Sequence, residues 1–153
     1  MDINDIGTIA AIIVGTGGLG FSISNFLRDA PKVILDLRWD MSPFNLPGFD
    51  DDESVGVITV TNTGRRTIYV SHVAIELPRG GEDKYLLIGE GIKGEKLEEG
   101  APPLFYPVKQ EGLDKYARHW KKMRAQVTDS TGKVWKSPKQ NVSKPPSWAK
   151  SSE

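Results

Sequence analysis

Apolar and polar positions divide the chain into a long uncharged opening, a run of short alternating segments and a polar tail. From Ile6 to Leu27 no residue is charged, and isoleucine, leucine, valine and phenylalanine are spread through the stretch without a consistent polar face. About 22 residues rising ~1.5 Å each make a helix of roughly 33 Å, the thickness of a hydrocarbon core. Pro31 ends that helix, and "KVILDLRW" predicts a first strand. "VGVITVTN" and "TIYVSHVAIEL" alternate as strands around a turn at Asn62 to Arg65, which predicts a β-hairpin with Arg65 and Arg66 solvated at its tip. "KYLLIG", "LFYPV", "RAQV" and "VW" supply further short strands, and Pro107 restricts its strand to an edge or a bulge.

Between these runs, "DMSPFNLPGFDDDES" and "EGIKGEKLEEGAPP" carry the glycine, proline and acidic residues of irregular connections. "LDKYARHWKK" has helical spacing, with Leu113, Tyr116, Ala117 and Trp120 on one face. The predicted organisation is mainly β. A transmembrane helix over 1–30 precedes an immunoglobulin-like β-sandwich of about seven strands with one short helix over 31–137. The segment 138–153, rich in proline, serine and lysine, is expected to be disordered.

The flanks of the opening stretch orient it. Asp2 and Asp5 precede it, whereas Arg28, Lys32 and Arg38 follow. Positive charge stays on the cytoplasmic side, so the N-terminus is expected outside and the sandwich in the cytoplasm, held to the cell membrane by a single uncleaved span. Within the span, Gly7, Ala11, Gly15, Gly18 and Ser22, continued by Asn25, form a stripe of small residues at spacings of three and four. Such a stripe lets a second helix approach closely, so a homo-oligomer through the transmembrane helix is an expectation.

The same glycines permit another reading. Gly15, Gly17 and Gly20 spell G-x-G-x-x-G, with Ala11–Val14 as a first strand, Phe21–Asp29 as a helix and Asp36 near the position of a ribose-binding acid. This describes a nucleotide-binding oxidoreductase fragment. A dinucleotide site, however, needs continued strand and helix alternation, and the following hundred or so residues read as strands joined by turns.

Composition narrows the chemistry. Twenty basic and twenty acidic residues cancel, so no overall field recruits nucleic acid or an anionic membrane, and any electrostatic partner must be found locally. The absence of cysteine removes disulfides, thiolate metal sites and cysteine nucleophiles. Asp50, Asp51, Asp52 and Glu53 lack the spacing of a calcium loop. His72 and His119 have no partner ligands in a recognisable motif. No G-x-S-x-G, H-E-x-x-H or P-loop occurs, so no catalytic residue, metal or cofactor is nominated. The basic face Lys115, Arg118, Lys121, Lys122 and Arg124, beside Tyr116 and Trp120, is a candidate contact for lipid or a protein partner, or else the exposed side of a capping helix.

The small-residue span, the basic residue and proline at its exit, "ITVTNTGRRTIYV" and "VTDSTGKVW" together resemble a loose group of uncharacterised small bacterial and phage proteins, membrane-anchored with a cytoplasmic Ig-like β-sandwich. The resemblance implies architecture and brings no catalytic residue with it. The function expected is therefore a membrane-anchored interaction or adaptor module, not an enzyme, with membrane lipid and an unknown protein as partners. A phage- or prophage-encoded envelope interference (exclusion) factor is a further alternative with the same architecture.

Overall fold

In the computed structural model the backbone is described for residues 3–78 and 83–150, and side chains from Ile13 onward apart from Glu90. One α-helix, α1 (Ile3–Arg28), precedes eight strands: β1 (Val33–Met41), β2 (Val55–Asn62), β3 (Ile68–Glu76), β4 (Tyr85–Leu87), β5 (Glu95–Leu97), β6 (Leu104–Lys109), β7 (Arg124–Asp129) and β8 (Val134–Lys136). Short 3₁₀ segments occupy Gly89–Ile92, Asp114–Lys122 and Ser147–Ala149. All strand pairs are antiparallel. One sheet has the order β1-β2-β6; the other runs β4-β3-β7-β8, with β5 also paired to β3. The expected mainly-β, two-sheet architecture is present.

Both sheets contribute to one core. Leu35 and Leu37 of β1, Ile58 and Val60 of β2, and Tyr106 and Val108 of β6 meet Val73 and Ile75 of β3 and Ala125 and Val127 of β7. Each set follows the two-residue period that sends alternate side chains to one face. On β3 the phase changes: Ile68 and Val70 are buried, then Val73 and Ile75. A register shift between Val70 and His72 accounts for it, because one extra residue moves the following side chains to the opposite face. Pro107 lies on β6, an edge strand, where a missing N–H breaks no ladder.

The hairpin expected at Asn62–Arg65 does not form. β2 and β3 lie in different sheets, and the connection is an arch crossing between them. Asn62 decides this geometry. Its side chain is buried, and its Nδ2 donates to the carbonyls of Arg66 and Leu97 at 2.8 and 3.0 Å, while Oδ1 accepts the Gly64 N–H at 3.0 Å. The Thr63 and Gly64 N–H groups both donate to the Lys32 carbonyl, at 2.8 and 3.2 Å. Gly64 is required by close approach, since a Cβ there would stand 2.5 Å from the Lys32 nitrogen and 2.7 Å from the Ala30 oxygen. The arch therefore clamps the segment leaving α1.

Two further expectations are corrected. The nucleotide reading needs a strand over 11–14 and a parallel sheet, but those residues lie inside the continuous helix α1, and β1 pairs antiparallel with β2. The loop around 95–97 holds β5, whose three residues were too short and too polar to register as a strand. The transmembrane expectation falls partly outside the described side chains, including Gly7 and Ala11. Among the described residues, no helix is long and apolar enough to cross a membrane.

At the turn between β7 and β8, Asp129 organises the chain. The buried carboxylate accepts the N–H of Thr131 at 2.9 Å and of Lys133 at 3.0 Å, the Thr131 hydroxyl at 2.6 Å and the Trp135 indole at 3.2 Å. Burial by itself would push its pKa up; the hydrogen bonds from Thr131, Trp135 and Lys133 outweigh that and hold it below the ordinary aspartate value. A lowered folded-state pKa gives stability that is fully present above the unfolded pKa and is lost as pH falls through the folded one. Asp129→Asn is expected to cost about 1.5–3 kcal/mol at neutral pH and to flatten the acid limb of the stability curve. Urea titrations at several pH values check this, and an unchanged acid limb would refute it. Gly64→Ala is expected to destabilise by about 1–3 kcal/mol because it must displace backbone, whereas Gly89→Ala, with open space around it, changes little. Equal effects from the two substitutions would contradict the clamped arch.

Candidate functional site

Strand direction gives the sandwich two distinct ends. Val33 pairs with Asn62, so the start of β1 and the arch share the end where α1 leaves. Leu97 pairs with Ile68 and Asp129 with Val70, which brings the β5–β6 loop and the β7–β8 turn to that same end. At the opposite end Met41 pairs with Val55, Val55 with Lys109, and Glu76 with Arg124.

The 3₁₀ segment Asp114–Lys122 joins Lys109 to Arg124 and therefore lies at the far end. A strand of 9 residues such as β1 spans roughly 30 Å, and that length separates this segment from the exit of α1. Leu113, Ala117 and Trp120 are buried against the core and Tyr116 is half-buried, which confirms the face read from periodicity. The segment is a lid on the sandwich, broken at His119 (φ −126°, ψ 16°). Lys115, Arg118, Lys121 and Lys122 are exposed and Arg124 half-buried. Lys115 lies 3.7 Å from Asp83, and Arg124 Nε donates to the Ser137 carbonyl at 2.9 Å. These basic residues therefore lie at the end of the sandwich opposite the α1 junction.

The tail also departs from expectation. Instead of being disordered, Pro138–Lys150 lies along β1, and only 151–153 fall outside the described residues. Gln140 Nε2 donates to the Leu37 carbonyl at 3.0 Å. Further on, the Ser147 N–H donates to both oxygens of Asp40, at 3.1 and 2.9 Å, and its hydroxyl donates to the same carboxylate. Asp40 sits at an irregularity in β1 with φ of 56°, which turns its carboxylate towards the tail. Trp148 is buried and packs edge-on against Trp39, with ring centroids 5.3 Å apart. Gly56 makes room for this pair, since a Cβ on it would stand 2.6 Å from the Trp39 ring.

Between the tail and β1 lies a groove of about 650 Å³, lined by Asp36, Arg38, Trp39, Met41, Gln140 and Val142 among others. The Trp39 and Trp148 indole N–H groups and the Gln110 amide Nε2 near them are buried without an acceptor. Each such orphan costs about 1–3 kcal/mol, so the tail is held less firmly than its aromatic burial implies. Because those atoms are closed to solvent, no ligand reaches them unless the tail moves. The signals for this region were present but isolated: a glycine inside a strand at Gly56 and a lone tryptophan in a polar tail.

The remaining candidates stay apart. Gly15 and Gly18 lie on α1 with nothing packed against them, and Ser22 donates to the Gly18 carbonyl at 2.9 Å. His72 is on β3 and His119 on the lid. Among the described residues no group of three histidine or acidic side chains converges in a way that could hold a metal. Tyr106 donates to Glu95 at 2.7 Å, and burial together with that carboxylate pushes its phenol well above the ordinary value, which suits a structural hydrogen bond. No protein-family model matches the chain, and no curated protein matches it either.

Trp148→Ala is expected to destabilise by about 2 kcal/mol, because the loss of a buried ring is partly offset by relief of its unpaired N–H. The same change should open 138–146 to limited proteolysis. Unchanged stability and unchanged cleavage would show that the tail is not docked.

Proposed function

We propose that the protein is a membrane-anchored interaction module without catalytic activity of its own, with α1 as a single-pass anchor and the sandwich in the cytoplasm. The observation that carries this reading is the exposure of α1. Val14, Leu19, Phe21, Phe26 and Leu27 are each more than 60% exposed, they point to different sides, and none rests on the sandwich. A helix that is apolar all round is ordinarily buried in a large core or a bilayer, and none of the described residues of the sandwich covers it. The span comprises 6–27, with Ile6–Ile12 completing the length that the described portion lacks.

The strand order supports the module reading. β1-β2-β6 opposite β4-β3-β7-β8 matches strands A-B-E opposite C′-C-F-G of immunoglobulin-like sandwiches, which present loops at both ends and free edges for binding. The far end, with its lid and the tail groove, is the surface left for a protein partner. An envelope interference factor would be a special case of the same design.

The test is alkaline carbonate extraction of membranes from cells making the full chain, beside a form lacking residues 1–30. The full chain is expected to stay in the membrane pellet and the shortened form to be released. Release of the intact full chain would overturn the anchor.

A further inference from the structure

We propose that the end of the sandwich nearest α1 is a cationic rim that rests on anionic lipid headgroups, a surface distinct from the basic lid. The inference rests on α1 being a membrane anchor. Only Asp29, Ala30 and Pro31 separate the last residue of α1 from Lys32, whose carbonyl is clamped by the arch. A tether so short, with its far side fixed, keeps the arch close to wherever α1 enters the bilayer.

Charge pairing at this end is unequal. Among its acids, Asp29 and Glu99 share one cation, each 4.0 Å from Arg65, Glu98 is paired with Lys96, Glu95 accepts the Tyr106 hydroxyl, and Asp129, still charged, is buried within its turn. Arg28, Lys32 and Arg66 are exposed and form no ion pair with any described residue. The arch backbone explains the outward direction of Arg66, because its carbonyl is turned inward to the Asn62 amide. Three exposed cations without an ion-pair partner among the described residues thus lie around the point where the chain leaves the helix. Cations beside the end of a span are attracted to phosphate and carboxylate headgroups, and the attraction decays within a Debye length, about 8 Å at physiological salt. The lid, a strand-length away, lies beyond that range.

The chain has no cysteine, so a single introduced one reports position without interference. Full-length protein carrying Thr67→Cys or His119→Cys, both at exposed sites, is labelled with a fluorophore and reconstituted into vesicles. The vesicles are of phosphatidylcholine alone or mixed with phosphatidylglycerol, and contain a headgroup-linked quencher. Quenching at position 67 is expected to exceed that at 119 at least threefold and to rise in the anionic vesicles. Lys32→Gln with Arg66→Gln should abolish that rise, as should 0.5 M salt. Tryptophan fluorescence confirms that the variants are folded. Equal quenching in both vesicle types, insensitive to the double substitution, would overturn the rim, as would stronger quenching at 119. If the wild-type chain fails to float with vesicles of either composition, the anchor itself is wrong and the rim falls with it, an outcome separable from loss of the anionic preference alone.

Discussion

The structure turns on one buried amide. Asn62 ends the central strand of one sheet, and its side chain satisfies two carbonyls of the other sheet's neighbourhood and one N–H of its own loop. An apolar residue of the same size would leave those groups unpaired in the interior, where each costs about 1–3 kcal/mol. The bonds convert a sequence that would fold back as a hairpin into an arch between sheets. They also place Thr63 and Gly64 where their N–H groups seize the carbonyl of Lys32. The crossover between sheets and the attachment of the helix are thereby one feature.

That coupling gives the molecule a direction. Because the arch holds the segment after α1, one end of the sandwich is committed to the helix and the other is free. The near end is made of tight, polar-satisfied loops, including the Asp129 turn. The far end carries the lid, an irregular β1 terminus at Asp40 and the tail clasped through Ser147 and Trp148. Hydrogen bonding is more complete at the junction, and the unpaired indole N–H groups of Trp39 and Trp148 lie buried beneath the tail.

Much of the fold was legible in the residues. Alternation located β1, β2, β3, β6 and β7, Pro107 pointed to an edge or a bulge, and three-and-four spacing found the buried face of the lid. The pairing of strands was less legible, since "TNTGRR" satisfies a turn in either topology and only the buried amide of Asn62 distinguishes them. β5 was invisible because three residues carry too little pattern. The tail misled for a compositional reason: proline, serine and lysine dominate it, yet one tryptophan and one serine suffice to dock it on a site prepared by Gly56 and Asp40. The basic lid was recognised as charged and amphipathic, but its distance from the helix depends on strand direction, which linear sequence does not carry.

Amide hydrogen exchange on the full chain, compared in lipid nanodiscs and after removal of lipid, tests the central claim most directly. The account predicts that the Thr63 and Gly64 amides exchange as slowly as those of β2 in both conditions, and that the amides of α1 are protected strongly only with lipid present. Fast, loop-like exchange at Thr63 and Gly64, or full protection of α1 without lipid, would contradict it.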